Sequence, residues 1–567
     1  MRHCQRRRDH TPADGRDPER RRDVRGGLRQ RDDGVGLDPE RRRRLRDRCH
    51  HRRRVSLVGT IGDPANLRGL VLVGLDVGAI RATAVAIDET GAVQASASAE
   101  YPPDGKASGG LERDASEWWR ASQRALAEVA ARAGGEIVGI GLTGQTAGAV
   151  FMDARGIVVR PAIVAGDRRA LPQSVAITER VGGDRLLEIT GNAVASDGLA
   201  STLIWVRDVE PVQFRHTRRV LAPKDYVRLM LTGEAVTDVT DASGTTLLDL
   251  RRRTWSGEIL DALEIPPAWL PDVQESAAIS GGLRPSMAGE LGLPARLPIA
   301  AGASAEAAAA VGCGIVESGL ISSSIRRDAV LFAPANHVII DPTGRLDAGC
   351  HALPQRYRLR ARAAAAGAAL HWWGGILGGH FTRDDLYQLA ASAPVGSNGL
   401  FFLPHCESAS TTPDGAGGRG AFAGLRAHHT RADLTRAVME GVIFSLRDGL
   451  DRLGELGIEV RQVRTPRRSG GAWLWRQLQA DIFGVPVASM AATATPAMGA
   501  ALLAGVACGR YASVADAARH TIQPGKLIEP DPGRSAQYER LYRTFTTLAP
   551  AITGNVESST RGVAQPG

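Results

Sequence analysis

Val71 to Asp88, VLVGLDVGAIRATAVAID, is the stretch whose reading decides the fold. An apolar run reaches Asp76, turns through Val77-Gly78-Ala79 and resumes as an alternating run from Ala82 to Ile87, which reads as strand, tight turn, strand. An aspartate ending a buried strand, beside a glycine whose backbone can approach a ligand, suits a site that holds a metal ion and the phosphates it bridges. A plain hairpin that uses Asp and Gly only as turn formers fits the same residues.

Moving outward, Val93 to Tyr101 predicts a third strand and therefore a meander. Asp114-Ala-Ser-Glu117 resembles a capping box opening a helix to about Arg132, with Trp118, Ala121, Ala125 and Val129 at helical spacing and Gly134-Gly135 as its stop. Ile137 to Leu142 is an apolar strand running into Thr143-Gly-Gln-Thr-Ala-Gly148. A hairpin over Ala154-Arg-Gly156 follows and ends near Asp167. Strands followed by helices, with glycine turns at strand ends, indicate an α/β domain whose ligand groups gather at loop tips.

Residues 171–290 read as mostly helical, and Pro298 to Gly314 as strand, small-residue turn and alanine-rich helix. A second phase opens with a strand pair from Leu320 to Phe332. It continues through a loop-rich stretch, Phe401 to Gly424, and a long amphipathic helix, Arg431 to Leu453, with Leu434, Val438, Val442 and Leu446 in i,i+4 order. Pro496-Ala-Met-Gly-Ala500 reads as a glycine-packed helix start. Two strand-turn-strand openings, at Val71 and about Leu320, predict a duplicated architecture with a cleft between its halves.

The 567 residues allow two to four domains, and 43% hydrophobic with 23% charged residues is a globular composition. No charge-free apolar run approaches the eighteen residues or so of a membrane span. Six scattered cysteines without Cys-x-x-Cys spacing argue for a cytoplasmic protein without disulfides or zinc. The net charge of +9 is carried by the first 70 residues, which hold 21 Arg and 11 Asp+Glu, so the body sums to −1 and a nucleic-acid partner is not expected. Only Lys106, Lys224 and Lys526 are lysines. Residues 1–69 contain no aromatic side chain and are expected to be a disordered leader.

Many further stretches occur in a fixed order: Gly74-Leu-Asp-Val-Gly78, Glu117-Trp-Trp119, Gly144-Gln145, Ile189-Thr-Gly-Asn192, Pro223-Lys-Asp-Tyr226 and Asp241-Ala-Ser-Gly-Thr245. His351-Ala-Leu-Pro354, Ala437-Val-Met-Glu-Gly-Val442 and Pro496-Ala-Met-Gly-Ala-Ala501 continue the series. From about Leu70 to Pro550 the chain thereby resembles the FGGY carbohydrate kinases, most closely the xylulokinase group. The resemblance implies an actin-like (ribonuclease H-like), duplicated two-domain ATPase fold with a central cleft. Its expected parts are the leader 1–69, a sugar-binding domain 70–316, a nucleotide-binding domain 317–511 and a helical segment and tail 512–567. ATP and Mg²⁺ would be the cofactors and a ketopentose or related polyol the substrate, with no membrane partner and with room for a homodimer.

Residue by residue, the resemblance makes Asp76 the metal-organising carboxylate and Gly78 its turn glycine, with Ala79 and Ile80 replacing the hydroxyl residues of the first phosphate loop. Gln145, Thr146, Ala147 and Asp167 occupy the sugar-contact positions, Thr146-Ala147 standing where a Met-His pair is expected. The catalytic aspartate position is Ala305, which cannot accept a proton, and Glu306 beside it is the candidate substitute. Arg326 and Arg327, followed by Asp328, replace a glycine-containing phosphate turn. Gly470 and Gly471 follow Arg467-Arg468-Ser469 where a glycine run should meet adenosine, and Ala409-Ser410 replace a Glu-Arg pair. These losses at the chemistry leave two expectations, a sugar kinase with impaired catalysis or a pseudokinase that binds a sugar or a protein.

Overall fold

A continuous apolar run forms β1 (Leu70–Val77), and alternating runs follow as β2 (Arg81–Ile87) and β3 (Val93–Glu100), an antiparallel meander that sets Asp76 opposite Thr83. The molecule is a computed structural model that describes residues 69–102, 110–326, 328–363, 365–404, 420–465, 473–490 and 495–560. The leader 1–68 lies outside the described residues, as do Arg327, Ala409, Ser410, Gly470 and Gly471. Residues 63–567 group into one unit, which is the one described.

Helix α1 (Ala115–Arg132) is capped by Asp114, whose carboxylate accepts the Ser116 N–H at 2.9 Å. Only half of the capping box forms, because Glu117 turns to Arg120. The expected stripe of Trp118, Ala121, Ala125 and Val129 is buried against the meander. Burial of Val129 and Leu126 contributes about 1.5–3 kcal/mol each. β4 (Glu136–Gly144) then lies parallel to β1 and pairs Thr143 with Asp76. The hairpin over Ala154–Gly156 is present as strands Gly148–Met152 and Ala162–Val164.

The following residues are mostly helical, as expected, and supply α2 (Pro223–Thr232), β5 (Val236–Asp238) and the single turn α3 (Val239–Ala242). β6 (Ile279–Gly282) and β7 (Pro298–Ala300) complete a first sheet in the order β6-β7-β4-β1-β2-β3. β8 (Ala303–Ser304) adds to the end of β4 and leads into α4 (Ala305–Gly312).

The second sheet runs β11-β12-β10-β9-β13-β14-β15. Its strands are β9 (Gly319–Ile325), β10 (Ala329–Ala335), β11 (Asp347–Cys350), β12 (Tyr357–Ala363), β13 (Val460–Thr465), β14 (Val487–Met490) and β15 (Pro524–Ile528). Between β12 and β13 lies α5 (Arg431–Glu455), which buries Val438, Val442 and Leu446 of the predicted stripe and leaves Leu434 half-buried.

The duplication is legible in the pairing. From β3 through β2, β1, β4 and β7 to β6 the neighbours are antiparallel, antiparallel, parallel, parallel, antiparallel. From β12 through β10, β9, β13 and β14 to β15 the same series repeats. This is the actin-like, two-domain arrangement.

Two elements cross the expected divisions. β15, past residue 511, belongs to the second sheet. Helix α6 (Thr495–Ala507) comes from the nucleotide-domain part of the sequence but packs on the first sheet, where a Cβ on Gly74 or Gly141 would meet its backbone at 1.8 Å. Cys508 sits over Gly139 and Ala500 over Gly141, so α6 runs antiparallel to β4 and its N-terminus lies toward Thr143.

Candidate active site

Ligands of open α/β sheets gather outside the carboxyl ends of parallel strands, and of the residues picked from the sequence Asp76, Gln145 and Ala305 stand at or just past such ends. Asp76 and Thr143 are register partners one residue before the ends of β1 and β4, and their side chains share a face with the glycines that admit α6. Asp76 Oδ1 and Thr143 Oγ1 are both shut off from solvent and have no hydrogen-bond partner. Orphaned polar atoms in such a place are costly unless a ligand completes them. Burial pushes the Asp76 carboxyl up to about 7, against the guanidiniums of Arg326 and Arg81. A divalent cation would supply the missing partner of Oδ1, and the N-terminus of α6 favours an anion nearby. The residues present therefore fit Mg²⁺ with a phosphate chain, Asp76 being the side chain that would hold the metal.

Gly78 keeps the turn by donating to the Arg81 carbonyl at 3.1 Å, while Ala79 and Ile80 stand exposed without offering a side-chain donor. From the second sheet, the β9–β10 turn brings Arg326 near enough to act on Asp76 across the cleft. Asp328 closes that turn through its carbonyl and lies 3.9 Å from Arg362.

At the positions expected to contact a sugar, the backbone of Gln145 donates to Val77, and its Nε2 is a third orphan. Ala147 holds a left-handed φ of 58°, a strained conformation for an alanine. Asp167 is buried but fully engaged. Its oxygens accept the Leu111 N–H at 2.6 Å and the Arg169 N–H at 2.9 Å, and Arg169 Nη2 stands 2.9 Å away. Arg169 also reaches Glu112, which it shares with Arg160. Asp167 reads as an anchor of this ion network, with Gln145 the freer hydrogen-bonding group.

Ala305 opens α4 beside the ends of β4, capped by Ser304. Glu306 does not turn toward the strand ends. Its Oε2 accepts from Arg360 on β12 at 2.7 Å, and Arg360 holds Asp347 as well. Burial would raise the Glu306 carboxyl, yet Arg360, Arg358 and Arg362 together hold it below the ordinary glutamate value. A carboxylate stabilised in its charged form by a fixed guanidinium is a poor proton acceptor.

A cluster of which the sequence reading quoted Lys224, Asp225 and Asp241 without assigning them a role, and did not single out Asp238 or Arg228, lies where α2, β5 and α3 meet. Lys224, fully buried on α2, places Nζ 2.6 Å from Asp225, 2.7 Å from Asp238 and 2.9 Å from Asp241, and Arg228 pairs with Asp225. Burial would lower the Lys224 pKa, but the three carboxylates raise it. Three acids against two cations leave one negative charge in excess, and burial, opposed by Lys224 and aided by Asp238 and Asp225, pushes Asp241 up to about 7. The signal was there. A chain with 70 basic residues keeps only three lysines, and a compact ammonium with three donors suits three carboxylates better than a planar guanidinium.

The described residues hold no helix long and apolar enough to cross a membrane. Residues 71–312 match the model of the FGGY family of carbohydrate kinases, N-terminal domain, and residues 330–508 match the C-terminal domain. The chain is 32% identical over 482 residues to the xylulose kinase of Escherichia coli (strain K12), covering 84% of this chain and 98% of that one. It is 31% identical over 480 residues to the xylulose kinase of Bacillus subtilis (strain 168), covering 84% and 96%. The crystal structure of a xyloylose kinase from Brucella ovis superposes with a TM-score of 0.78 at 33% identity, over 85% of this chain and 99% of that one.

Proposed function

The chain belongs to the FGGY family of carbohydrate kinases, and from that membership we propose that it phosphorylates a ketopentose, xylulose first among them, using ATP and Mg²⁺. The observation that carries this reading is Asp76, a carboxylate with one orphaned oxygen at the paired ends of β1 and β4, facing Arg326 across the cleft. The bound metal would screen the phosphate charges. The chain's own residues do the rest: Gln145 offers an unpaired amide to a sugar hydroxyl, and the α6 N-terminus and Arg326 favour the anionic phosphates.

One observation favours a second reading. Position 305 is alanine and Glu306 is fixed by Arg360, so a pseudokinase that binds sugar without phosphoryl transfer is the alternative. Purified protein assayed for sugar-dependent ADP formation over a panel of pentuloses and polyols separates the two. Turnover that disappears in Asp76→Ala supports the kinase. Sugar binding by calorimetry without turnover on any panel member supports the pseudokinase.

A further inference from the structure

We propose that Asp241 accepts the proton of the attacking sugar hydroxyl. The inference rests on the kinase reading and names the group that reading lacks. In the transfer, the hydroxyl oxygen bonds to the γ-phosphorus, the bond from that phosphorus to the β–γ bridging oxygen breaks, ADP leaves, and the hydroxyl proton goes to the carboxylate. That step needs an acceptor within hydrogen-bond reach whose pKa lies near the working pH.

The carboxylates around the strand ends can be taken in turn. Asp76 is the metal position, Asp167 is held by Arg169, and Glu306 is held by Arg360. Asp238 caps α3, its Oδ1 accepting from Thr240 N, Thr240 Oγ1 and Asp241 N. Asp225 lies between Lys224 and Arg228. Asp241 is 5% exposed, is held by Lys224 through Oδ2 only, and keeps Oδ1 without a partner.

Its position is fixed by neighbours on both sides. Thr240 Oγ1 accepts the Ser304 N–H at 2.8 Å, which joins α3 to the residue just before Ala305. On the other side, the Thr146 methyl lies 3.4 Å from where a Cβ on Gly244 would stand, and Lys224 Cβ packs 3.0 Å from the corresponding point on Gly144. The turn bearing Asp241 is thus wedged between the sugar-contact loop after β4 and the empty base position. Lys224, Asp225 and Arg228 face the carboxylate from α2 and Asp238 faces it from β5; their balance leaves it one proton to exchange near pH 7. Of the other elements packed on α3, β11 carries Asp347, already paired with Arg360, and Cys350, whose thiol burial pushes up to about 12. The strand Asp272–Gln274 carries an exposed Asp272.

The test uses the full chain with ATP, Mg²⁺ and D-xylulose. Asp241→Asn is expected to lower kcat by about 100-fold or more, with the sugar KM changed less than about 3-fold. Adding Ala305→Asp to that variant is expected to return at least about 10-fold, because a carboxylate is restored on the same side of the site. The wild-type kcat profile, which needs no variant, is expected to fall below pH 7. A D241N kcat within about 3-fold of wild type overturns the inference, as does a wild-type profile flat from pH 5.5 to 8. A kcat loss that Ala305→Asp does not relieve and that follows a lowered melting temperature assigns Asp241 a structural role and overturns it too. Wild-type protein without turnover sinks the kinase reading and this one together, whereas active wild type with unaffected D241N sinks this one alone.

Discussion

Arg360 on β12 of the second sheet donates to Glu306 in the first turn of α4 at 2.7 Å, so an ion pair fastens the helix that opens at Ala305 in one lobe to the sheet of the other. Asp347 on β11 takes the remaining face of the same guanidinium. The acid next to Ala305 thus ties one lobe to the other, and its charge is balanced by a guanidinium of the opposite sheet.

Glu306→Gln should therefore leave kcat within about 3-fold of wild type while lowering stability by about 1–2 kcal/mol. The cost is below that of a fully buried pair because 32% of the Glu306 side chain still meets solvent. Thermal unfolding of Glu306→Gln, Arg360→Met and the double variant measures the coupling. A kcat loss of about 100-fold in Glu306→Gln would instead make Glu306 the proton acceptor.

Asp76 predicts an exchange of stability for activity. Its orphaned oxygen and a carboxyl raised to about 7 mean that at pH 8 the folded protein holds a buried charge that Arg326 and Arg81 only partly offset. Asp76→Asn should raise the melting temperature at pH 8 in the absence of ligand and abolish the further rise that Mg²⁺-ATP gives the wild type. Scanning fluorimetry with and without Mg²⁺-ATP reads both. A variant that is less stable without ligand would mean Asp76 is structural.

His351 sets an acid limit. It is completely buried, with Nδ1 accepting the Leu353 N–H at 3.1 Å and Nε2 bonded to the Ile315 carbonyl at 3.0 Å. Burial lowers its pKa from 6.5 to about 4. Between those values the unfolded chain binds a proton that the folded chain refuses, so this contribution is complete above pH 6.5 and is lost as pH falls toward 4. The whole difference is worth about 3 kcal/mol at 1.36 kcal/mol per pH unit. Urea unfolding at pH 7.5, 6 and 5 should show wild type losing about 2 kcal/mol more than His351→Gln between the first and the last, since pH 5 covers about 1.5 units of the titration.

Why the scaffold was legible and the site only partly so comes down to periodicity. The β1–β2 hairpin announces itself by an apolar run and an alternating one, and α1 and α5 by i,i+4 spacing; α1 buries its predicted stripe, whereas α5 leaves Leu434 half-buried and takes Asp433, Arg436 and Glu440 inside with Val438, Val442 and Leu446. Asp76 could be placed because it ends such a strand. The Lys224 cluster could not, because its members lie on three short elements whose contacts depend on how α2 and α3 meet. The fate of Glu306 likewise depends on Arg360, 54 residues away on another sheet. Nor does local pattern tell that α6 crosses to the first sheet, since a run of small residues reads the same whichever sheet it packs on.

That crossing yields a test in which two effects of opposite sign compete at the same substitution. Glycine inside a helix is about 1 kcal/mol less favourable than alanine, so Gly→Ala should stabilise wherever space allows. Gly289, in the helix Pro285–Leu291, has nothing within 4 Å of where a Cβ would stand, and Gly289→Ala should gain about 0.5–1 kcal/mol. At Gly499 in α6 the new Cβ would stand 1.8 Å from the Ala308 carbonyl oxygen of α4. Backbone cannot turn aside as a flexible side chain would, so α6 must lift from α4, and the overpacking should outweigh propensity for a net loss of about 2 kcal/mol or more. Because α4 begins at Ala305, the displacement should also lower sugar-kinase activity in Gly499→Ala and leave it unchanged in Gly289→Ala. Paired unfolding and activity measurements on the two variants decide it, and a Gly499→Ala protein as stable as Gly289→Ala would mean that α6 does not pack on α4 as closely as these contacts require.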